Sequence, residues 1–306
     1  MKDILVVGCS ISSDITCIYD EEKSNALSKN HRSYPSYLKD NGYNVENLSI
    51  SGLDNTSISR LVIHKINQLL KNGKKSDELF VLVQWSGVDR ISSFVTEDET
   101  VDWPELWKFN FIDNLNGDLA VNRGKTGGAF WDDYKNLLYT EEGFFIKTLE
   151  NILRTQWFLK SMNIKYKMFT GWDIFTFSTG KEGGYGIHHP NGGQFLAPEY
   201  KTDEDGNDVL VEKNYENIEN QLLKDKFKNS THLWDMIDFD NFWTFNNDCV
   251  KFGGMVQWVE NNFTHKADGF RGGSPFDFHP ANVACQYFCS KVLIPMIEEV
   301  IDEKNN

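Results

Sequence analysis

The heptapeptide Leu79–Trp85, LFVLVQW, decides the fold. It is apolar at every position but Gln84 and shows no alternation of polar and apolar residues. A strand with two apolar faces must be covered on both, which points to a parallel strand between two helix layers. Two runs before it read the same way. Residues 3–7 (DILVV) end in Gly8-Cys9-Ser10, a strand running into a tight turn, and residues 44–50 (NVENLSI) close on Ser51-Gly52. Between the second and third runs the period changes. Ile58, Leu61, Val62, Ile66, Leu69 and Leu70 recur at helical spacing, with Asn55, Thr56 or Ser57 as N-cap and Gly73 past the end. Downstream, the amphipathic stretch 140–163 carries Phe145, Leu149, Ile152, Leu153 and Leu159 on one stripe and leads into a fourth strand at 164–171 (IKYKMFTG). A last helix is expected from Pro280, with Val283, Ala284, Tyr287, Phe288 and Ile297 turned inward and a kink or restart at Pro295. Strands alternating with helices imply parallel βαβ units. The expected fold is therefore a three-layer α/β/α sandwich with a parallel sheet of about five strands.

Two segments break this rhythm. Residues 92–139 are rich in Trp, Asp, Asn and Gly, and residues 174–274 are long and heterogeneous. No linker sets either apart, so both are read as insertions above the sheet of a single domain spanning 1–306. Within the second, 200–211 (YKTDEDGNDVLV) reads as a hairpin turning at Asp205-Gly206-Asn207.

The chain has 306 residues, 40% hydrophobic and 25% charged, which is ordinary globular usage and excludes collagen-like and disordered classes. With 31 basic and 45 acidic residues the formal charge is −14, a field that repels phosphate backbones, so no nucleic-acid partner is expected. No window approaches the ~18 apolar residues of a membrane span, and Ile4 to Val7 is too short for the ~7–15 apolar residues of a signal peptide. Cys9, Cys17, Cys249, Cys285 and Cys289 form no C-x-x-C pair and are odd in number. Free thiols and a cytoplasmic or virion-associated protein are the corresponding expectation.

In an open parallel sheet, ligands gather at the carboxyl ends of the strands. Those ends read Gly8-Cys9-Ser10-Ile11-Ser12, Ser51-Gly52-Leu53-Asp54-Asn55 and Trp85-Ser86-Gly87-Val88-Asp89-Arg90, and Asp277-Phe278-His279-Pro280 lies just before the final helix. A strand-end serine and a distant Asp/His pair are the parts of acyl transfer. The hydroxyl needs a base, the base needs an acid to fix its tautomer, and the oxyanion needs N–H donors.

These blocks resemble the SGNH hydrolase superfamily of GDSL-like esterases, a flavodoxin-like sandwich. Gly8-Cys9-Ser10 stands where that family has Gly-Asp-Ser, Asn47-Leu-Ser-Ile-Ser-Gly52 resembles its Asn/Gly block, and Asp277-Phe278-His279-Pro280 resembles its Asp/His block. The Gly-Cys-Ser start and the Trp-Ser…Arg third block are similar to a subgroup common among bacteriophage-encoded members. The resemblance covers roughly residues 1–91, 145–172 and 275–301. It implies Ser10 as nucleophile, His279 as base, Asp277 as the residue orienting it, and the backbone N–H groups of Ser10 and Gly52 as oxyanion donors. It also implies a glycan or other small ester as substrate, such as an O-acetylated carbohydrate, with no cofactor. Three departures stand out: Cys9 replaces Asp, Asp277 and His279 are two apart instead of three, and Gly87 or Val88 falls where the family places an Asn donor. Asn55, Gln84 or Ser86 is left to supply that donor. A non-enzymatic glycan-binding or virion structural protein on the same fold is the alternative.

Other motifs carry less. Arg123-Gly-Lys-Thr-Gly-Gly has Leu119 where a P-loop needs its first glycine. Asp203-Glu-Asp-Gly-Asn-Asp puts Gly206 fourth instead of sixth, unlike an EF-hand. Adjacent His188 and His189 point to different sides in any regular element, so no metal site is expected. Trp103, Trp107, Trp131, Trp172, Trp234, Trp243 and Trp258 read as loop anchors or as a sugar-stacking rim.

Overall fold

The computed structural model describes residues 3–13, 31–50, 52–88, 90–94, 109–112, 140–178, 200–204, 208–210, 220–247, 250–263, 269–270 and 279–302. Five parallel strands form the central sheet: β1 (Asp3–Val7), β2 (Asn44–Asn47), β3 (Leu79–Trp85), β6 (Lys165–Thr170) and β11 (Phe242–Trp243). Their order is β2-β1-β3-β6-β11, and every neighbouring pair is parallel. Each residue of β3 is buried, as its unbroken apolar run requires. The chain leaves β1 toward one edge and returns at β3 to build the other half. The carboxyl ends of β1 and β3 are therefore the topological switch point of the sheet, the place where ligands bind in such folds.

One face is covered by α2 (Asn55–Lys71) and α3 (Glu141–Ser161). Small polar residues form the seam between these helices. Thr155 Oγ1 donates to Ser59 Oγ at 2.7 Å, Arg154 Nε to the same oxygen at 3.0 Å, and Asn151 Nδ2 to Thr56 Oγ1 at 3.1 Å. Two one-turn helices, α4 (Leu223–Lys226) and α5 (Thr231–Trp234), come next in the chain, and the opposite face is covered by α1 (Tyr34–Asp40), α6 (Met255–Asn262), α7 (Asn282–Phe288) and α8 (Ile294–Asp302). Here the core is aromatic: Phe288 packs against Phe169, Trp243 and Trp258 with ring centroids 5.6, 5.2 and 5.2 Å apart. The fold is thus an α/β sandwich with helices on both sides of a five-stranded parallel sheet.

Several boundaries differ from the sequence reading for identifiable reasons. Asp54, rather than Asn55, Thr56 or Ser57, caps α2, because its carboxylate accepts from Ser57 N at 2.8 Å. The final helix begins at Asn282, since Pro280 is held in a bridge to Phe270. A π-helical turn, Cys289–Leu293, separates α7 from α8 just before Pro295. The fifth strand and α6 fall inside the span 174–274, so part of that span belongs to the scaffold instead of lying above it. Gln156 pins this part: its Oε1 accepts from Asp238 N and its Nε2 donates to Asp238 O, both at 3.0 Å. Further antiparallel pairs join β4 (Ile91–Phe94) to β5 (Phe109–Ile112), β7 (Thr176–Ser178) to β10 (Asn220–Leu222), and β8 (Tyr200–Thr202) to β9 (Asp208–Leu210). The last pair is the hairpin expected at 200–211; its turn, 205–207, lies outside the described residues. Cys9, Cys285 and Cys289 are buried free thiols. Among the described residues no helix is long and apolar enough to cross a membrane.

Candidate active site at the carboxyl ends of the strands

The turn after β1 is shaped by a single polar side chain in β3. Gln84 Oε1 accepts from Cys9 N at 3.0 Å, Cys9 Sγ at 3.2 Å and Ser12 Oγ at 3.0 Å, while Gln84 Nε2 donates to Trp85 O. Ser12 Oγ also pairs with the Tyr34 hydroxyl at 2.7 Å. Ser12 O in turn accepts from Ser33 Oγ at 2.9 Å and Asn47 Nδ2 at 2.8 Å. Residues 9–12 are therefore held from β3, α1 and β2 at once, and Gly8 is needed where they converge. A β-carbon on Gly8 would sit 2.5 Å from Ser12 Oγ and 2.8 Å from Gln84 Oε1.

At the centre of this turn stands Ser10, 6% exposed. Its Oγ lies 2.6 Å from His279 Nε2, although 269 positions separate the two in the chain. The contact holds one hydrogen; with His279 protonated on Nδ1, the serine donates and the imidazole accepts. The backbone N–H groups of Ser10 and Gly52 have no hydrogen-bond partner among the described residues. Ile50 N donates to Gly8 O at 3.2 Å, which brings the segment after β2 against the start of the serine turn, and Leu53 N turns back to Ile50 O at 3.3 Å around Gly52. Gly52 adopts φ +86°, a left-handed conformation that favours glycine. Asp277 lies outside the described residues, as do His188, His189, Trp103, Trp107 and Trp131.

Asn55 does not point a donor at the serine. Its Oδ1 accepts from Ser86 N at 2.8 Å, and its Nδ2 donates to Ser86 O, Gly87 O and Thr148 Oγ1 at 3.2, 3.4 and 3.2 Å. The expectation of an oxyanion role for Asn55 is corrected accordingly: its amide is spent clamping the loop after β3 onto α2 and α3. Gln84 is likewise committed to the serine turn. The hydroxyl of Ser86 accepts from Arg90 Nη1 at 2.8 Å.

Arg90 was read from sequence only as part of the third block and Trp172 only as a loop anchor or part of a sugar-stacking rim, yet Trp172 borders His279 and Arg90 borders Trp172. The Arg90 guanidinium is 5.2 Å from the centre of the Trp172 ring, and Trp172 meets the His279 ring edge-on with centroids 6.3 Å apart. Both residues are buried, at 7% and 2% exposure. An arginine four residues past a strand-end serine was the available signal for the first. Trp172 gave the second signal by following Gly171 at the end of the fourth strand. Trp234 and Trp258 are packed into the core, as loop anchors would be.

Among the described residues no three His, Cys, Asp or Glu side chains are grouped as metal ligands. No family model matches the chain, and no curated protein matches it.

Proposed function

We propose that the protein is a serine esterase of the SGNH kind, cleaving an acyl ester of a carbohydrate or other small alcohol. The observation that carries this reading is the 2.6 Å contact between Ser10 Oγ and His279 Nε2 at the switch point of the sheet. A buried serine in hydrogen-bond contact with a histidine is the nucleophile–base pair that acyl transfer requires. In the proposed sequence His279 Nε2 takes the Ser10 proton as Oγ bonds to the acyl carbon. The N–H groups of Ser10 and Gly52 receive the oxyanion. Collapse of the tetrahedral intermediate breaks the bond to the leaving oxygen, which takes the proton from the imidazolium. Water then attacks the acyl-serine by the same route, returning the proton to Ser10. Asp277 is assigned to hold the other imidazole nitrogen.

The non-enzymatic reading has one observation in its favour: Asn55 and Gln84, two of the residues left to supply the family's third oxyanion donor, are spent elsewhere. Such a donor is worth about 10²–10³ in rate, enough to slow an esterase without abolishing it. An organophosphonate probe separates the two readings. Stoichiometric modification of Ser10, with none in Ser10→Ala, is the expected result. An unmodified wild-type protein that also cleaves no acetyl ester would overturn the enzyme reading.

A further inference from the structure

We infer that Trp172 is a positioning residue for the proposed base: its indole ring holds the His279 imidazole in the orientation that aims Nε2 at Ser10 Oγ. That role rests on the esterase reading of the pair. The main chain of His279 is tied through the residues that follow it. Pro280 bridges to Phe270, and Ala281 N donates to Gly269 O at 2.9 Å. These contacts fix the backbone but not the tilt of the imidazole, whose outer torsion is broad in a histidine and is set by what the ring touches. One surface it touches is the Trp172 ring, at an interplanar angle of 85° with centroids 6.3 Å apart, a geometry that aromatic pairs prefer. A ring can orient its neighbour only if it is itself held. Before Trp172, Gly171 N donates to Trp85 O at 2.9 Å and Gly171 O accepts from Val256 N at 3.0 Å. After it, Asp173 N donates to Gln257 Oε1 at 3.0 Å. Gly254, the N-cap of α6, is pressed against the same segment: a β-carbon there would lie 2.8 Å from the carbonyl carbon of Trp172 and 2.6 Å from Thr170 O. The ring is braced in turn by the Arg90 guanidinium, 5.2 Å from its centre, which Ser86 Oγ ties to the end of β3. β3, β6 and α6 thus converge on one side chain that is 2% exposed. Its Nε1 is buried without a hydrogen-bond partner among the described residues. The indole is therefore placed by packing and by the cation at its ring, and what it gives His279 is a rigid aromatic surface, not a polar contact. A displaced imidazole would slow proton transfer without touching the ester. Misplacement by about 1 Å can cost about 10²-fold in rate.

The test follows phenyl acetate hydrolysis, with melting temperatures taken first so that rates are compared where every variant is folded. Trp172→Met fills the site without a ring, whereas Trp172→Phe keeps a ring and gives up the unbonded N–H. Trp172→Met is expected to lower kcat about 10- to 100-fold with KM within about twofold of wild type, and Trp172→Phe to restore most of the loss. Should Trp172→Met not fold, Gly254→Ala carries the same test from α6: its methyl pushes the Trp172 backbone and should lower kcat several-fold at unchanged KM. The second readout needs no turnover. In crystal structures of the variants, His279 Nε2 should leave hydrogen-bond reach of Ser10 Oγ in Trp172→Met and keep it in Trp172→Phe. An unchanged kcat and an unchanged contact in Trp172→Met overturn the positioning role while leaving the esterase standing. So does an equal loss in Trp172→Met and Trp172→Phe. A contact that breaks in Trp172→Met, in a protein whose wild type hydrolyses no ester, keeps the positioning role and removes the esterase.

Discussion

The two ends of the parallel sheet treat polar groups in opposite ways. At the amino end, Asp3 accepts from Asn44 Nδ2 at 2.8 Å and pairs with Lys74. Asp3 and Lys74 keep about a third of their side chains in water. At the carboxyl end, Ser10, Ser12, Asn55, Gln84, Ser86 and Arg90 are all buried. The chemistry of the contacts is similar, but the consequences differ. A wet ion pair can break and be replaced by hydration, so it contributes little. A dry hydrogen bond has no substitute, and losing one partner leaves the other stranded at ~1–3 kcal/mol. The contrast teaches that the amino end tolerates change while the carboxyl end is a linked set held in one arrangement, as the proposed nucleophile would require.

The sharpest way to break the comparison is at the serine–histidine pair. His279→Ala should reduce ester hydrolysis by about 10⁶-fold, as for the histidine of other serine–base pairs, with the melting temperature little altered. Steady-state rates and a thermal scan on one preparation check this, and a fall below tenfold would remove His279 from the reaction. The next largest effect is on stability. Gln84→Leu strands Cys9 N, leaves Ser12 Oγ only the Tyr34 hydroxyl, and should cost about 2–4 kcal/mol in denaturant titration. Gly8→Ala follows. Its methyl would overlap Ser12 and Gln84, and overpacking of this kind costs about 1–3 kcal/mol, with lower activity as the serine turn shifts.

The smallest effect sharpens the contrast from the other end. The hydrogen bond from Lys74, with that from Asn44, holds the Asp3 carboxyl below the usual carboxylate range. A depressed folded-state pKa contributes stability above the unfolded value near 3.9 and loses it as pH falls through the folded value. Asp3→Asn should therefore be slightly less stable than wild type at neutral pH, with the gap closing in acid. A gap that widened on acidification would contradict this sign. Activity should follow the parent protein at every pH where both are folded.

The unequal legibility of the molecule has the same physical basis. β3 could be read from sequence because seven residues buried on two faces leave a run that water-exposed segments cannot mimic. Ser10 and His279 were legible because turn chemistry and a helix start flank them. The strand Phe242–Trp243 was not, since two residues contain no period; Gln156 and the aromatic ring of Phe288 fix its position from elsewhere in the chain. α1 has seven residues, also too few to establish a stripe. Gln84 was visible as the polar exception in its strand. What the sequence could not tell was which way its amide would be spent, because that depends on Cys9 and Ser12 arriving from β1. The same holds for Asn55, whose partners lie on β3's loop and on α3.

The 269-residue gap between Ser10 and His279 means that the proposed nucleophile–base pair exists only once both ends of that span have folded together. On the proposed reading, a ribosome-bound chain carries the serine turn well before the histidine, and the turn is chemically idle until the segment preceding α7 has emerged and docked. Conversely, peeling α7 and α8 away from the sheet would silence the serine while β1, β3 and β6 remained intact. On gentle heating, catalysis should then fade at a lower temperature than the circular dichroism of the whole protein.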